Sequence, residues 1–98
     1  MKALKPAHPG YLLLREFIQP MNLTVYRVAK DSGIPQSTLA TIVNGKRSIS
    51  AETAMRLGLF FGVDAQFWLN LQTSYDLAVT AEAKQDQILR MVHPRETA

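Results

Sequence analysis

The chain has 98 residues, no cysteine and a net charge of +3. That length holds one domain around one modest core, and the lack of cysteine excludes a disulfide framework and thiolate chemistry. No run approaches the roughly 20 apolar residues of a membrane helix, and residues 1–6 carry no secretory apolar stretch, so a cytoplasmic location without membrane contact is expected.

The charge is unevenly placed. Residues 1–50 hold seven basic residues (Lys2, Lys5, Arg15, Arg27, Lys30, Lys46, Arg47) against Glu16 and Asp31, whereas residues 51–98 hold four basic and six acidic ones. A basic half joined to a mildly acidic half suggests one polyanion-facing surface and another with a different task.

Prolines and glycines punctuate a helical pattern with no strand-like alternation, which makes the fold class all-α. A first helix is expected over 9–19, with Pro9 at a first helical position and Pro20 as the stop. Leu13, Leu14, Phe17 and Ile18 form its apolar face. Thr24 stands where an N-cap belongs. The helix 25–31 that follows buries Val25, Val28 and Ala29 and shows Arg27 and Lys30. Gly33 ends it, and Pro35 opens a helix over 36–43, with Leu39, Ile42 and Val43 inside. After the turn Asn44-Gly45-Lys46-Arg47, Ser50 caps a fourth helix. The capping box is incomplete, because Thr53 stands where Glu or Gln would complete it. Ala54, Leu57, Gly58 and Phe61 give that helix its packing face, and Gly62 closes it. Asp64 is expected to cap a fifth helix over 65–79, carrying Phe67, Trp68, Leu71, Tyr75 and Leu77. Residues 80–87 extend it or begin a sixth, and the tail 93–98 reads as frayed.

Residues 24–44 satisfy the demands of a helix-turn-helix together. A small residue, Ala29, lies where the second helix presses on the first, Gly33 makes the turn, and Leu39 and Ile42 anchor the second helix while Val28 and Ile34 close the wedge. The outer face of the second helix carries Gln36, Ser37, Ala40, Thr41 and Asn44, the base-reading candidates. Gln and Asn can pair bidentately with adenine, Ser and Thr can bond base edges or pack a thymine methyl, and Ala40 lets the backbone approach the groove. Phosphates need cations, hydroxyls and free amides at the flanks. Thr24, Arg27, Lys30, Thr38, Lys46 and Arg47 are the candidates for these contacts. Phe67, Trp68, Leu71 and Tyr75 read as core or as a dimer interface. His8 and His93 have no second ligand at metal spacing, so neither metal nor cofactor is expected. No nucleophilic triad or phosphate-cradling loop points to an enzyme, and Asp64, Asp76, Glu82 and Asp86 read as caps and solvated faces.

From His8 to about Ala81 the sequence resembles the HigA family of antitoxins, within the phage-repressor-like (Cro and C1 type) helix-turn-helix group. The residues carrying the likeness are His8-Pro9-Gly10, Tyr26-Arg27-Val28-Ala29-Lys30 and Val43-Asn44-Gly45-Lys46-Arg47-Ser48-Ile49-Ser50. Thr53-Ala54-Met55-Arg56-Leu57, Phe67-Trp68-Leu69-Asn70-Leu71-Gln72 and Tyr75-Asp76-Leu77 complete the set. The resemblance implies a five-helix domain with a C-terminal helical extension, and a homodimer formed largely through residues 64–92. It also implies a palindromic double-stranded DNA operator and a HigB-like toxin, a small ribosome-dependent mRNA-cleaving protein that the antitoxin neutralises. Two positions depart from the family pattern. Val25 replaces a frequent glutamine, and Gln36-Ser37-Thr38 lacks the arginine often found near the start of the recognition helix. A stand-alone repressor without a toxin, and a protein-sequestering module with a vestigial helix-turn-helix, are the competing readings.

Overall fold

In the computed structural model, which describes residues 7–96, these residues form helices and no strand. Helix α1 (Pro9–Leu12) runs without a break into a π-helical stretch (Leu13–Ile18). Then come α2 (Val25–Ser32), α3 (Gln36–Val43), α4 (Ala51–Phe61) and α5 (Ala65–Met91). Among the described residues no helix is long and apolar enough to cross a membrane.

The first helix begins on a histidine cap. His8 Nδ1 accepts the Gly10 N–H at 2.9 Å, which places the neutral ring's proton on Nε2. Further along, the helix widens, with the Gln19 N–H closing on the Leu14 carbonyl at 2.9 Å and the Leu23 N–H on that of Ile18 at 3.0 Å. Periodicity predicts an ordinary α-helix here, and Pro20 explains the difference. Proline cannot donate to the carbonyl four residues back and its ring crowds that carbonyl, so the last turn opens to five-residue closure. Asn22 (φ 57°) then turns the chain, a conformation its short polar side chain tolerates.

Two of the remaining caps follow the sequence reading. Thr24 Oγ1 accepts the Arg27 N–H at 3.1 Å, and Ser50 Oγ accepts that of Thr53 at 3.2 Å. Asp64 differs. It occupies the N-cap position of α5, but its carboxylate makes no capping bond, and its carbonyl takes the Phe67 N–H at 3.0 Å instead.

Leu13, Ile18, Val28, Leu39, Ile42, Leu57 and Trp68 are sealed from solvent and draw the five helices onto one core. Trp68 lies at its aromatic end, 4.8 Å from the Phe17 ring and 5.1 Å from that of Phe67. Its exposure is 0%, so it has no surface to offer a partner, which corrects its place among the interface residues. Leu71 and Tyr75 are half-buried, and Phe67 alone of the four is exposed. The Trp68 Nε1–H has no partner among the described residues, a cost of about 1–3 kcal/mol that burial of the large ring outweighs.

Helix α5 continues past the expected end at Val79 to Met91, without a sixth helix. Its 27 residues correspond to about 40 Å at 1.5 Å rise. From Glu82 onward every described residue is exposed. This overhang accounts for a radius of gyration of 16.6 Å, against about 13 Å for a compact chain of this length. Residues 92–96 follow outside the helix, and Thr97 and Ala98 of the expected frayed tail lie outside the described residues.

A Cβ on Gly10 would land on the backbone carbonyl of Ile42 in α3. Gly10→Ala should therefore force α1 off α3 and lower the unfolding free energy by about 1–3 kcal/mol, read from urea denaturation. His8 generates a second expectation. Burial lowers its pKa from the ordinary 6.5, while the Asp76 carboxylate opposes the shift. A depressed histidine stabilises fully above 6.5, and that contribution is lost as pH falls through the folded-state value. His8→Asn, which keeps a capping acceptor without a titrating ring, should flatten the pH dependence of the urea midpoint in that window. An unchanged slope would remove His8 as its source.

Candidate nucleic-acid interface

Burial of one side of α3 dictates what its other side shows. Leu39 and Ile42 are at 0% exposure and Val43 at 6%, so the helix cannot rotate. Gln36, Ser37, Thr41 and Asn44 consequently face solvent, with Ala40 half-buried between them. The turn before α3 is held from both sides. Gly33 takes φ 75°, Ser32 Oγ accepts the Ile34 N–H at 3.3 Å, and the Arg56 guanidinium donates to the Ser32 carbonyl at 3.2 Å. The side chains of Gln36, Ser37 and Asn44 make no hydrogen bond among the described residues, so their polar groups are available to a ligand. Thr41 is different, since its hydroxyl donates back to the carbonyls of Thr38 at 2.8 Å and Ser37 at 3.1 Å.

The exit from α3 is equally constrained. The Gly45 N–H bonds the Ile42 carbonyl at 2.9 Å and the Lys46 N–H that of Thr41 at 3.0 Å, with Gly45 at φ 76°. This is a Schellman closure, and it sets Lys46 directly beyond the helix end. At the far end of the same loop, buried Gln72 of α5 accepts the Ile49 N–H through Oε1 at 2.8 Å and donates from Nε2 to Asp76 at 2.9 Å. Lys46 and Arg47 thus sit on a loop clamped at both ends.

The six phosphate candidates do not form one group. Lys30 lines a depression of about 220 Å³ with Tyr26, Ala29, Ile34 and Gln36, which joins a cation to the start of the base-facing helix. Arg47 donates to Thr38 Oγ1 at 3.1 Å, and the two share an open groove with Ser48 and Ser50. Arg27 instead pairs with Asp31 at 3.8 Å, and Asp31 faces a separate groove with Arg56 and Leu59. Thr24 is engaged as the α2 cap. Lys30 and Lys46 carry no ion pair among the described residues.

Three residues escape the sequence reading. Tyr26, 58% exposed, shares the depression of Lys30, and its place one helical turn before Lys30 is a signal that could have found it. Ser48 lies beside Arg47 in the groove, with only its adjacency to Lys46-Arg47 to mark it. Gln72 acts at a distance in sequence, and its sole trace is a polar residue inside an apolar helical block.

The helix-turn-helix family matches residues 14–68. Virulence-associated protein I of Dichelobacter nodosus is 45% identical over 78 residues, spanning 80% of this chain and 72% of that protein. An addiction module antidote protein of a HigA family from Coxiella burnetii has a TM-score of 0.88 at 38% identity, covering 94% of this chain and 100% of that one. The antitoxin HigA of Pseudomonas aeruginosa, solved with the higBA promoter, has a TM-score of 0.88 at 37% identity, covering 93% and 99% of the two chains.

On this geometry Lys46→Ala and Arg47→Ala should each weaken binding to all DNA sequences alike. Each should also lower the slope of log K against log salt by about one unit, as read by fluorescence anisotropy across a salt series. A slope that stays in place would take the residue out of the phosphate contacts.

Proposed function

The chain belongs to the helix-turn-helix family, in its HigA-type antitoxin branch, and on that premise we propose that it is the DNA-binding antitoxin of a toxin–antitoxin pair. It represses transcription by gripping a palindromic operator as a homodimer. Its second partner is a HigB-like toxin, a small ribosome-dependent mRNA-cleaving protein that it neutralises. No step of this function requires catalysis or a cofactor.

The observation that carries the reading is the outer face of α3. Its amide and hydroxyl side chains are unburied, three of the five positions hold polar groups with no hydrogen bond among the described residues, and Lys30 and Lys46, without an ion pair among those residues, stand at its two ends. Base-edge readers between phosphate-binding cations are what a recognition helix in a major groove requires. The likeness to an antitoxin solved with promoter DNA supports the same use of this face.

The homodimer is supported by the far half of α5. Leu89 and Met91 are each 68% exposed, and Ile88 is also uncovered, an apolar load that water disfavours on a projecting helix. A two-fold axis there would set the recognition helices about one DNA turn, roughly 34 Å, apart.

The test is titration of the purified protein with the DNA upstream of its own gene, across a salt series, against unrelated DNA. Selective, salt-sensitive binding by a dimer is expected, whereas binding no better than to the control would overturn the operator reading. In the same assay the double variant Ile88→Glu, Leu89→Glu should sediment as a monomer and bind at least tenfold more weakly, about 1.4 kcal/mol. The product of the adjacent gene should co-purify on co-expression. Its failure to do so would leave a repressor without a toxin.

A further inference from the structure

Thr41 occupies the middle of the exposed α3 face, one turn after Ser37 and one turn before Asn44. Threonine offers a major groove two different groups, a hydroxyl and a methyl, and sequence alone leaves both in play. The structure separates them. The single hydroxyl hydrogen is committed to the helix's own carbonyls, at 2.8 Å to Thr38 and 3.1 Å to Ser37. Back-bonding of this kind holds the oxygen down against the preceding turn, so the hydroxyl has no hydrogen left to donate to a base and can only accept, whereas the Cγ2 methyl carries no such commitment.

The adjoining Ala40 is half-buried and adds a second methyl. Both methyls belong to the stretch that carries Gln36, Ser37 and Asn44, whose side chains make no hydrogen bond among the described residues. In the major groove the apolar feature of a base pair is the 5-methyl of thymine, and every other edge presents donors or acceptors that methyl groups would leave unpaired. We infer that Ala40 and Thr41 form a methyl-reading centre that selects a 5-methylpyrimidine in each half-site, with Thr41 acting through its methyl and not its hydroxyl. The inference rests on the operator-binding reading above and deepens it.

Two substitutions separate the groups. Thr41→Val keeps the methyl and removes the hydroxyl, while Thr41→Ser does the reverse. Both lie on an exposed helix surface, where neither disturbs the core. A duplex enriched from a randomised pool by the wild-type protein is resynthesised with each thymine in turn replaced by deoxyuridine, which deletes only the 5-methyl. The wild-type protein should lose about fourfold in affinity at one thymine per half-site, the equivalent of one buried methyl group. Thr41→Val should lose affinity at that deoxyuridine by the same factor as wild type. Thr41→Ser should bind the unmodified duplex more weakly and be indifferent to the change. Wild-type affinity and sensitivity in Thr41→Ser, together with a loss in Thr41→Val, would overturn the inference by showing that the hydroxyl reads the base. So would a wild-type protein insensitive to every deoxyuridine. Failure to enrich any sequence from the pool is a separate result, which would bring down the operator reading itself.

Discussion

The contact between Gly10 and the Ile42 carbonyl sets the position of everything that faces outward. Backbone meets backbone there, with no room for even a methyl group, so the start of α1 acts as a fixed stop for the end of α3. The His8 cap holds the Gly10 amide in place on one side, and the Schellman closure at Gly45 finishes α3 on the other. A recognition helix is useful only if its orientation is rigid, because base-edge contacts tolerate little rotation. Here rigidity comes from main-chain contact, which has no rotamers to relax into.

A second layer of control lies in how cations are tethered. Arg27 is held by Asp31, Arg56 by Glu52 and the end of α2, and Arg47 by Thr38. Lys30 and Lys46 have no such partners among the described residues. The Arg27–Asp31 pair is exposed and contributes little to stability, but it lowers the local positive potential beside the groove that Asp31 shares with Arg56. Arg27, Arg47 and Arg56 are therefore tethered to the scaffold, whereas Lys30 and Lys46 are not. The Arg47 guanidinium donates once to Thr38 and retains further N–H groups.

Helix α5 changes character along its length. Its first turns supply Trp68 to the core and Gln72 to the loop behind α3, whereas from Glu82 onward its residues are exposed. The same helix thus joins the loop that carries Lys46 and Arg47 to the apolar surface proposed for dimer contact.

Much of this architecture was legible in the sequence. Helix starts and stops depend on local chemistry, and Thr24, Gly33, Pro35, Ser50 and Gly62 act within one turn of where they stand. The inner stripe of α3 and its outward face follow from a 3.6-residue period over eight residues. The long-range facts were hidden. Periodicity places Trp68 on an apolar face but cannot tell a core from an interface, because both are apolar and only the packed neighbours decide. The widening before Pro20 depends on a carbonyl four residues away, and the full length of α5 on a polar run that propensity alone leaves open. Gln72 reaches across 23 residues to the Ile49 amide, and the Thr41 hydroxyl turns inward through a rotamer choice. The sequence by itself determined the helices and which side of the helix-turn-helix faces out, since those obey local rules. Only the tertiary structure decided which polar groups remain free to bind, because a hydrogen bond is a matter of final positions in space.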